Sequence, residues 1–243
     1  MSPIKLITFD LDDTLWAVKP SLIRAEEQQN AWLREHRPRA LDSMTPDQLV
    51  QFKKLVWRAL PDHAHNMSKL RQQFLYELQT ASGYSHREAT AGAAIAFERF
   101  LEERHRVSLY EGALGVLERL SQRFRLGAIT NGNADVYKTK AAPYFSFAVR
   151  AEEVGAAKPA AQPFLKALEL GDCLAEETLH IGDHWEHDVL GARQAGLHAL
   201  WLNTLDQAWP HPSDAPITIQ SLSEIELAIS AVGRAHTIDK NKS

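Results

Sequence analysis

Short apolar runs alternate with amphipathic stretches along most of this chain. Residues 4–9 form a mostly apolar run rich in β-branched and aromatic residues, which is typical of a buried parallel strand. Similar runs recur at residues 126–129, 145–149, 179–181 and 197–202. Helical patterns lie between and after these runs, at residues 114–120, just after Asn133, and at 161–170, 189–196 and 221–232. Strands that alternate with helices predict an α/β fold with a Rossmann-like, doubly wound parallel sheet.

The segment between Leu15 and Tyr110 has a different texture, because its apolar residues recur at the spacing of amphipathic helices. Capping residues and prolines predict helices that begin near Pro20, at Thr45-Pro46, near Ser68 and at the capping box of Ser85 and Glu88. A crossover between parallel strands needs only about 30 residues. We therefore predict an α-helical bundle inserted into the core as a cap. The predicted boundaries are 1–15 and 109–232 for the core, 16–108 for the cap and 233–243 for a disordered tail.

Composition narrows the range of partners. The 243 residues carry a net charge of −4 and contain no dense block of lysine and arginine, so nucleic acid is not an expected partner. Apolar runs stay below the about 20 residues of a membrane span, and Asp10 and Asp12 interrupt the first run, so neither a membrane span nor a signal peptide is predicted. The single cysteine, Cys173, excludes an intrachain disulfide and fits a cytoplasmic protein.

Polar and charged residues follow the predicted strands at the points where these strands end. They are Asp10, Asp12 and Asp13 after the first strand, Thr130 and Asn131 after the second, Asp183 and Asp188 after the fourth, and Lys158 in a loop before a helix. Alone, the first acidic cluster is compatible with an ordinary turn or with a cation site. Because the carboxyl ends of parallel strands meet at one edge, the complete set predicts one oxygen-rich Mg²⁺ site that faces a phosphate.

Other residues near these motifs have more modest expected roles. His180, His184 and His187 could suggest zinc, but the aspartates in the same segment favour a hard cation. Thr14 is expected to orient the first acidic loop through hydrogen bonds, and Asp13 is expected to belong to the turn.

With these motifs in place, the chain resembles the haloacid dehalogenase-like hydrolase superfamily, in particular its phosphatase branch with a helical cap inserted after the first motif. The resemblance extends over residues 4–203. It is carried by Asp10-Leu11-Asp12-Asp13-Thr14, Thr130-Asn131, Lys158-Pro159 and Gly182-Asp183-His184-Trp185-Glu186-His187-Asp188, in the expected order. Within the superfamily the chain is similar to bacterial phosphatases that act on flavin mononucleotide and on a ribitylaminouracil phosphate.

The resemblance implies a phosphatase that hydrolyses a small phosphorylated metabolite through an aspartyl-phosphate. Asp10 would be the nucleophile, and Asp12 would serve as general acid and then as general base. Thr130 and the Asn131 backbone N–H would bind the phosphate, and Lys158 would balance its charge during transfer.

The same resemblance implies Mg²⁺ as the cofactor. Its ligands would be Asp10, the backbone carbonyl of Asp12, and Asp183. Asp188 would either contact the ligands without binding the cation itself, or bind the cation as an alternative ligand.

Two further classes of function stay open. One is a sugar phosphatase or phosphomutase of the same superfamily, since mutases also keep the acid at Asp12. The other is a phospho-aspartate signalling module, although such modules are about half as long as this chain and lack a large helical insert. Superfamily members that cleave carbon–halogen bonds lack an acid at the position of Asp12, because halide needs no proton to leave.

Overall fold

The computed structural model describes residues 3–210 and 215–230. The chain divides into two compact units, one formed by residues up to Ala17 and from Ser108 onward, and the other by Val18–Val107. No helix among the described residues is long and apolar enough to cross a membrane. The predicted disordered tail at 233–243 lies outside the described residues, as do the last two residues of the predicted helix at 221–232.

A parallel sheet forms the centre of the first unit. Its strands within the described residues are β1 (Leu6–Phe9), β2 (Arg125–Thr130), β3 (Phe147–Arg150), β4 (Thr178–Gly182), β5 (His198–Leu202) and β6 (Ile217–Ile219). They lie in the order β3-β2-β1-β4-β5-β6, and every neighbouring pair is parallel. The strand order reverses between β1 and β4, which is where such sheets bind ligands. This topology confirms the predicted Rossmann-like α/β core.

β1 lies between β2 and β4, and all of its residues are buried. A strand covered on both faces needs a continuous apolar sequence, which explains why its pattern does not alternate. Thr8 is the one polar residue of β1; it is buried and pairs with His180 of β4.

The second unit is helical throughout residues 18–107, all of which the structure describes. Its helices are α1 (Val18–His36), α2 (Pro38–Asp42), α3 (Pro46–Arg58), α4 (Met67–Ala81) and α5 (His86–Arg104). The predicted cap at Thr45-Pro46 begins α3, and the predicted capping box of Ser85 and Glu88 begins α5. Thr45 also forms a capping box with Gln48, which was not predicted from the sequence. The five-residue helix α2 is too short to produce a periodic pattern and was not anticipated. The assignment of this unit as a cap stays a prediction.

In the described part of the first unit, the α-helices lie between or after the strands in the sequence. They are α6 (Ala113–Ser121), α7 (Ala151–Val154), α8 (Ala161–Gly171) and α9 (Gly191–Gln194), with a final helical segment described at 225–230. In place of one short helix after Asn133 the structure has two 3-10 helices, Val136–Lys138 and Ala142–Tyr144. The helix predicted through Val189 begins as a π-helix, Trp185–Leu190, and continues as α9.

Candidate active site

Asp10 is the first residue after β1, and its carboxylate is buried at the end of that strand. The backbone N–H of Asp10 donates to the Ile181 carbonyl at 2.9 Å, which keeps the residue in register with β4. Lys158 Nζ donates to Asp10 Oδ1 at 2.7 Å. Thr14 Oγ1 lies 3.3 Å from Asp10 Oδ2, so each carboxylate oxygen faces a donor. Thr14 therefore orients the acidic loop, as expected from the sequence.

The turn after Asp10 fixes the second acid of the motif. Asp13 has a φ of 59°, and its N–H donates to the Trp16 carbonyl at 2.7 Å, so Asp13 serves the turn. The indole of Trp16 is fully buried, and its Nε1 donates to Asp12 Oδ1 at 2.8 Å. The Asp12 carboxylate is thus held by a rigid side chain four residues further along the chain.

The ammonium group of Lys158 is buried and directs its three protons to three oxygens. Nζ lies 2.7 Å from Asp10 Oδ1, 2.6 Å from Asp188 Oδ1 and 2.8 Å from the Ile129 carbonyl. Asn131 fixes the backbone at the same point, because its Nδ2 donates to the Lys158 carbonyl at 2.9 Å and its Oδ1 accepts from the Lys158 N–H at 2.8 Å. This reciprocal pair gives Asn131 a structural role that the sequence motif did not indicate.

Thr130 is the last residue of β2 and lies beside these groups, at the edge of the cavity described below. Its Oγ1 accepts a hydrogen bond from the Gly132 N–H at 3.0 Å, and the residue is almost fully buried. Because this bond uses a lone pair of Oγ1, the hydroxyl proton can point to an anionic oxygen in the cavity.

Asp183 and Asp188 are brought to the site by the end of β4 and by the π-helix. Thr14 Oγ1 lies 3.2 Å from Asp183 Oδ1, and Trp201 Nε1 holds the Asp183 carbonyl at 2.7 Å. Asp188 Oδ2 accepts from the His184 N–H at 2.9 Å, and the Asp188 N–H donates back to the His184 carbonyl at 2.9 Å. These two bonds hold the Asp188 carboxylate beside the strand end, within a π-helical segment of the kind often found at functional sites.

Burial and mutual repulsion govern the ionisation of these carboxylates. Burial, reinforced by Asp188, raises the pKa of Asp183 to about 7. Burial also raises the pKa of Asp10 well above its usual range, against the attraction of Lys158. For Asp188 burial acts in the same direction, but Lys158 and His180 outweigh it and hold the pKa below its ordinary value. Burial lowers the pKa of Lys158, but Asp10 and Asp188 more than offset this effect and raise it.

The carboxylates fit a divalent cation both in geometry and in charge. One oxygen from each of Asp10, Asp183 and Asp188 lies within 4.8 Å of the other two. When all three acids are ionised beside one Lys158, the cluster keeps two uncompensated negative charges. Burial is the main cause of the raised pKa values of Asp10 and Asp183, and repulsion by neighbouring carboxylates adds to it. A hard cation with oxygen ligands, such as Mg²⁺, would remove this repulsion.

A cavity of about 190 Å³ opens over these groups. It is lined by Asp10, Asp12, Asp13, Thr130, Asn131, Gly132, Lys158, Asp183, His184, His187 and Asp188. Every residue predicted for catalysis, phosphate binding or metal binding therefore borders one space. His184 and His187 also border it, with their rings stacked 3.9 Å apart. His184 Nδ1 accepts from the backbone N–H groups of Glu186 and His187, so it caps the π-helix.

Sequence comparison identifies the family to which this site belongs. A family model described as haloacid dehalogenase-like hydrolase matches residues 4–196. The chain belongs to the haloacid dehalogenase-like hydrolases. The matched range of this hydrolase includes all four motifs that line the cavity.

Relatives of this haloacid dehalogenase-like hydrolase carry the names of two different reactions. The chain is 32% identical over 210 residues to the 5-amino-6-(5-phospho-D-ribitylamino)uracil phosphatase YigB of Escherichia coli (strain K12). This alignment covers 85% of the chain and 88% of YigB. The chain is 28% identical over 212 residues to a glyceraldehyde 3-phosphate phosphatase of Pyrococcus abyssi (strain GE5 / Orsay), with 82% and 81% of the two chains covered. The crystal structure of 2-haloacid dehalogenase from Pseudomonas syringae pv. Tomato DC3000 superposes with a TM-score of 0.88 and 38% identity, over 94% of this chain and 99% of that one.

Proposed function

We propose that this hydrolase is a Mg²⁺-dependent phosphomonoesterase that acts on a small phosphate ester through an aspartyl-phosphate on Asp10. The supporting observation is that one cavity brings an aspartate, a second acid two residues on, a threonine hydroxyl and a buried lysine together. A carboxylate nucleophile needs no activating base, because it is ionised when the cation and Lys158 balance its charge. Bound Mg²⁺ would supply positive charge to the carboxylates and to the phosphoryl oxygens.

In the first step an Asp10 oxygen bonds to phosphorus, while the bond from phosphorus to the ester oxygen breaks. Asp12 gives its proton to that oxygen, and the alcohol leaves. The Thr130 hydroxyl and the Asn131 N–H bind phosphoryl oxygens, and Lys158 balances the charge that develops on them. Lys158 is suited to this role because three fixed acceptors hold its ammonium group.

In the second step Asp12 takes a proton from a water molecule, whose oxygen attacks phosphorus. The bond between phosphorus and the Asp10 oxygen breaks, which restores the carboxylate and releases inorganic phosphate. Trp16 supports both steps by holding the Asp12 carboxylate through Nε1 at 2.8 Å. General acid and base catalysis of this kind contributes about 10²–10⁴ in rate.

For the substrate we propose ribitylaminouracil phosphate or flavin mononucleotide. The similarity to YigB over most of both chains supports this choice. The similarity to a glyceraldehyde 3-phosphate phosphatase supports a smaller sugar phosphate as the alternative within the same activity. In this proposal the helical unit, Val18–Val107, acts as the cap and selects the leaving group.

A carbon–halogen hydrolase is the second candidate, because the superposed Pseudomonas protein is a 2-haloacid dehalogenase. The need of the leaving group for a proton favours the phosphatase instead. Halide leaves without a proton, so dehalogenation has no use for the Asp12 carboxylate that Trp16 holds at the cavity. An alcohol leaving from phosphorus does require a proton.

The test is to incubate the purified protein with a panel of substrates, with and without Mg²⁺, and to measure phosphate and chloride. The panel contains flavin mononucleotide, ribitylaminouracil phosphate, glyceraldehyde 3-phosphate, a hexose phosphate and 2-chloropropionate. We expect many equivalents of phosphate per protein, only with Mg²⁺, and no chloride. Chloride release would support the dehalogenase, an isomerised hexose phosphate would support a mutase, and a single equivalent of phosphoryl uptake would support a signalling module.

A further inference from the structure

His180 is the buried polar residue beside this site to which neither the motifs nor the proposed reaction assigns a role. It lies in the middle of β4, with 1% of its surface exposed. Its side chain points to the same side of the sheet as the Asp188 carboxylate, which it contacts. Phe164 packs edge-on against the imidazole at a centroid distance of 5.2 Å. The ring is therefore confined by packing as well as by hydrogen bonds.

Both ring nitrogens of His180 have defined partners. Nε2 lies 3.1 Å from Asp188 Oδ1, and Nδ1 lies 2.9 Å from Thr8 Oγ1. An ionised carboxylate only accepts hydrogen bonds, so Nε2 carries the proton. In the neutral ring Nδ1 then accepts from the Thr8 hydroxyl. Asp188 selects this tautomer, because a carboxylate only accepts, and Thr8 stabilises it.

The Asp188 carboxylate links His180 to Lys158. Asp188 Oδ1 accepts from both His180 Nε2 and Lys158 Nζ, and its Oδ2 accepts from the His184 N–H. The carboxylate cannot turn without losing one of these bonds. Lys158 also donates a hydrogen bond to Asp10 Oδ1. The position of Asp188 therefore sets the direction from which the Lys158 ammonium group approaches Asp10.

We propose that His180 is a positioning residue: through Thr8 and Asp188 it fixes the ammonium group of Lys158 against the nucleophile Asp10. This inference rests on the proposed function, since it assigns His180 to the support of that reaction. Without the Nε2 donor, Asp188 Oδ1 would have Lys158 as its remaining side-chain donor and could turn toward it. Because Nζ is already 2.6 Å from Asp188 Oδ1, Lys158 would follow the turning carboxylate and meet Asp10 from a less favourable direction.

Two substitutions of similar size separate positioning from packing. His180→Gln keeps an N–H near the place of Nε2, whereas His180→Met fills the space without a donor. We expect kcat of H180M to fall about 10- to 100-fold, as when supporting hydrogen bonds around an active site are removed. H180Q should recover most of this loss, and KM should change little in either variant. Equal losses in H180M and H180Q, or parent-like kcat in both, would overturn the inference.

Thr8→Val provides a test at the other end of the network, with Thr178→Val as its matched control. Thr178 is also a buried threonine, but its hydroxyl bonds to the Leu174 carbonyl and is outside the network. T8V should lower kcat while T178V should not. Parent-like kcat in T8V, or an equal loss in both, would count against the role of Thr8 and with it the network.

A spectroscopic measurement examines the same network without turnover. Ring ¹⁵N shifts of His180, assigned by the signals lost in H180Q, should show a protonated Nε2 and a bare Nδ1. The opposite tautomer would overturn the inference. If the parent protein hydrolyses none of the phosphate esters, the proposed function fails and the positioning role falls with it. If the parent is active while the variants behave as packing predicts, the inference about His180 alone fails.

Discussion

In the proposed reaction Asp12 is the residue that distinguishes an alcohol leaving group from a halide. Its carboxylate borders the cavity, and its Oδ1 accepts from Trp16 Nε1 at 2.8 Å. An amide at this position can still accept that bond, but it cannot give up a proton or take one. Replacing Asp12 with asparagine, which has the same shape, therefore removes proton transfer and keeps the geometry of the loop.

Asp12→Asn is expected to lower kcat about 10²–10⁴-fold on an alkyl phosphate. The loss should be much smaller on p-nitrophenyl phosphate, because nitrophenolate leaves without a proton. Steady-state rates on the two esters measure the difference. Equal losses on both would contradict the role of Asp12 as general acid.

The residues of the site differ in how visible they are in the sequence. Asp10, Thr130 and Asp183 directly follow apolar runs, and parallel topology then requires them to meet at one edge of the sheet. The partners of His180 and the Asn131 side chain could not be predicted, because each bond depends on the register of neighbouring strands or loops. Thr8 and His180 are adjacent only because β1 pairs with β4.

At the scale of elements, the turn from β4 into the π-helix shapes the site. Gly182 ends β4, and the Asp188 carboxyl group lies directly over its Cα. A Cβ at Gly182 would overlap that carboxyl group, so glycine is required by close approach and not by backbone conformation. The constraint follows from the position of the Asp188 carboxylate, which the His184 N–H holds beside the strand end.

Gly182→Ala should therefore displace Asp188 and misalign Lys158, with a loss of about 10²-fold in kcat, as for other small misplacements in active sites. Gly115→Ala is the matched control, since the nearest atom to a Cβ there is Arg119 Nη1 at 3.4 Å and the residue lies in α6. The control should keep full activity and gain up to about 1 kcal/mol in the free energy of unfolding. Full activity in G182A would show that the strand end adapts and that Asp188 need not be held.

Local signals predicted most elements, and their failures have physical causes. The starts of α3 and α5 were predictable, because the Thr45-Pro46 cap and the Ser85–Glu88 capping box each lie within a few consecutive residues. β6 contains three residues and α2 contains five, so neither produces a recognisable period. The apolar pattern predicts an ordinary α-helix here, because a five-residue bond such as that from the Val189 N–H to the His184 carbonyl leaves no mark on that pattern.

For the whole molecule, we expect charge balance at the carboxyl ends of the strands to link cation binding to the free energy of unfolding. Asp10, Asp183 and Asp188 converge around one lysine, and burial leaves the pKa of Asp10 and Asp183 raised, whereas Lys158 and His180 outweigh it at Asp188. A ligand that binds only the folded state adds about 2.7 kcal/mol at 100 times its dissociation constant. The folded protein should therefore respond to Mg²⁺ even without substrate.

Mg²⁺ is expected to raise the unfolding temperature of the sheet unit by several degrees, at about 2–4 °C per kcal/mol for a chain of this size. Asp183→Asn should abolish this response and, without divalent cation, should unfold at a higher temperature than the parent because one buried charge is gone. Differential scanning calorimetry at constant ionic strength measures both effects. A Mg²⁺ response that persists unchanged in D183N would place the cation elsewhere.

The most direct test of the central claim is chemical capture of the phosphorylated carboxylate. The enzyme is quenched during turnover of p-nitrophenyl phosphate with Mg²⁺, reduced with borohydride, digested and analysed by mass spectrometry. An acyl phosphate is reduced to an alcohol, so we predict conversion of the Asp10 side chain to a primary alcohol, dependent on substrate and Mg²⁺ and absent in D10N. Release of phosphate with Asp10 always unmodified, or modification at another residue, would contradict the account.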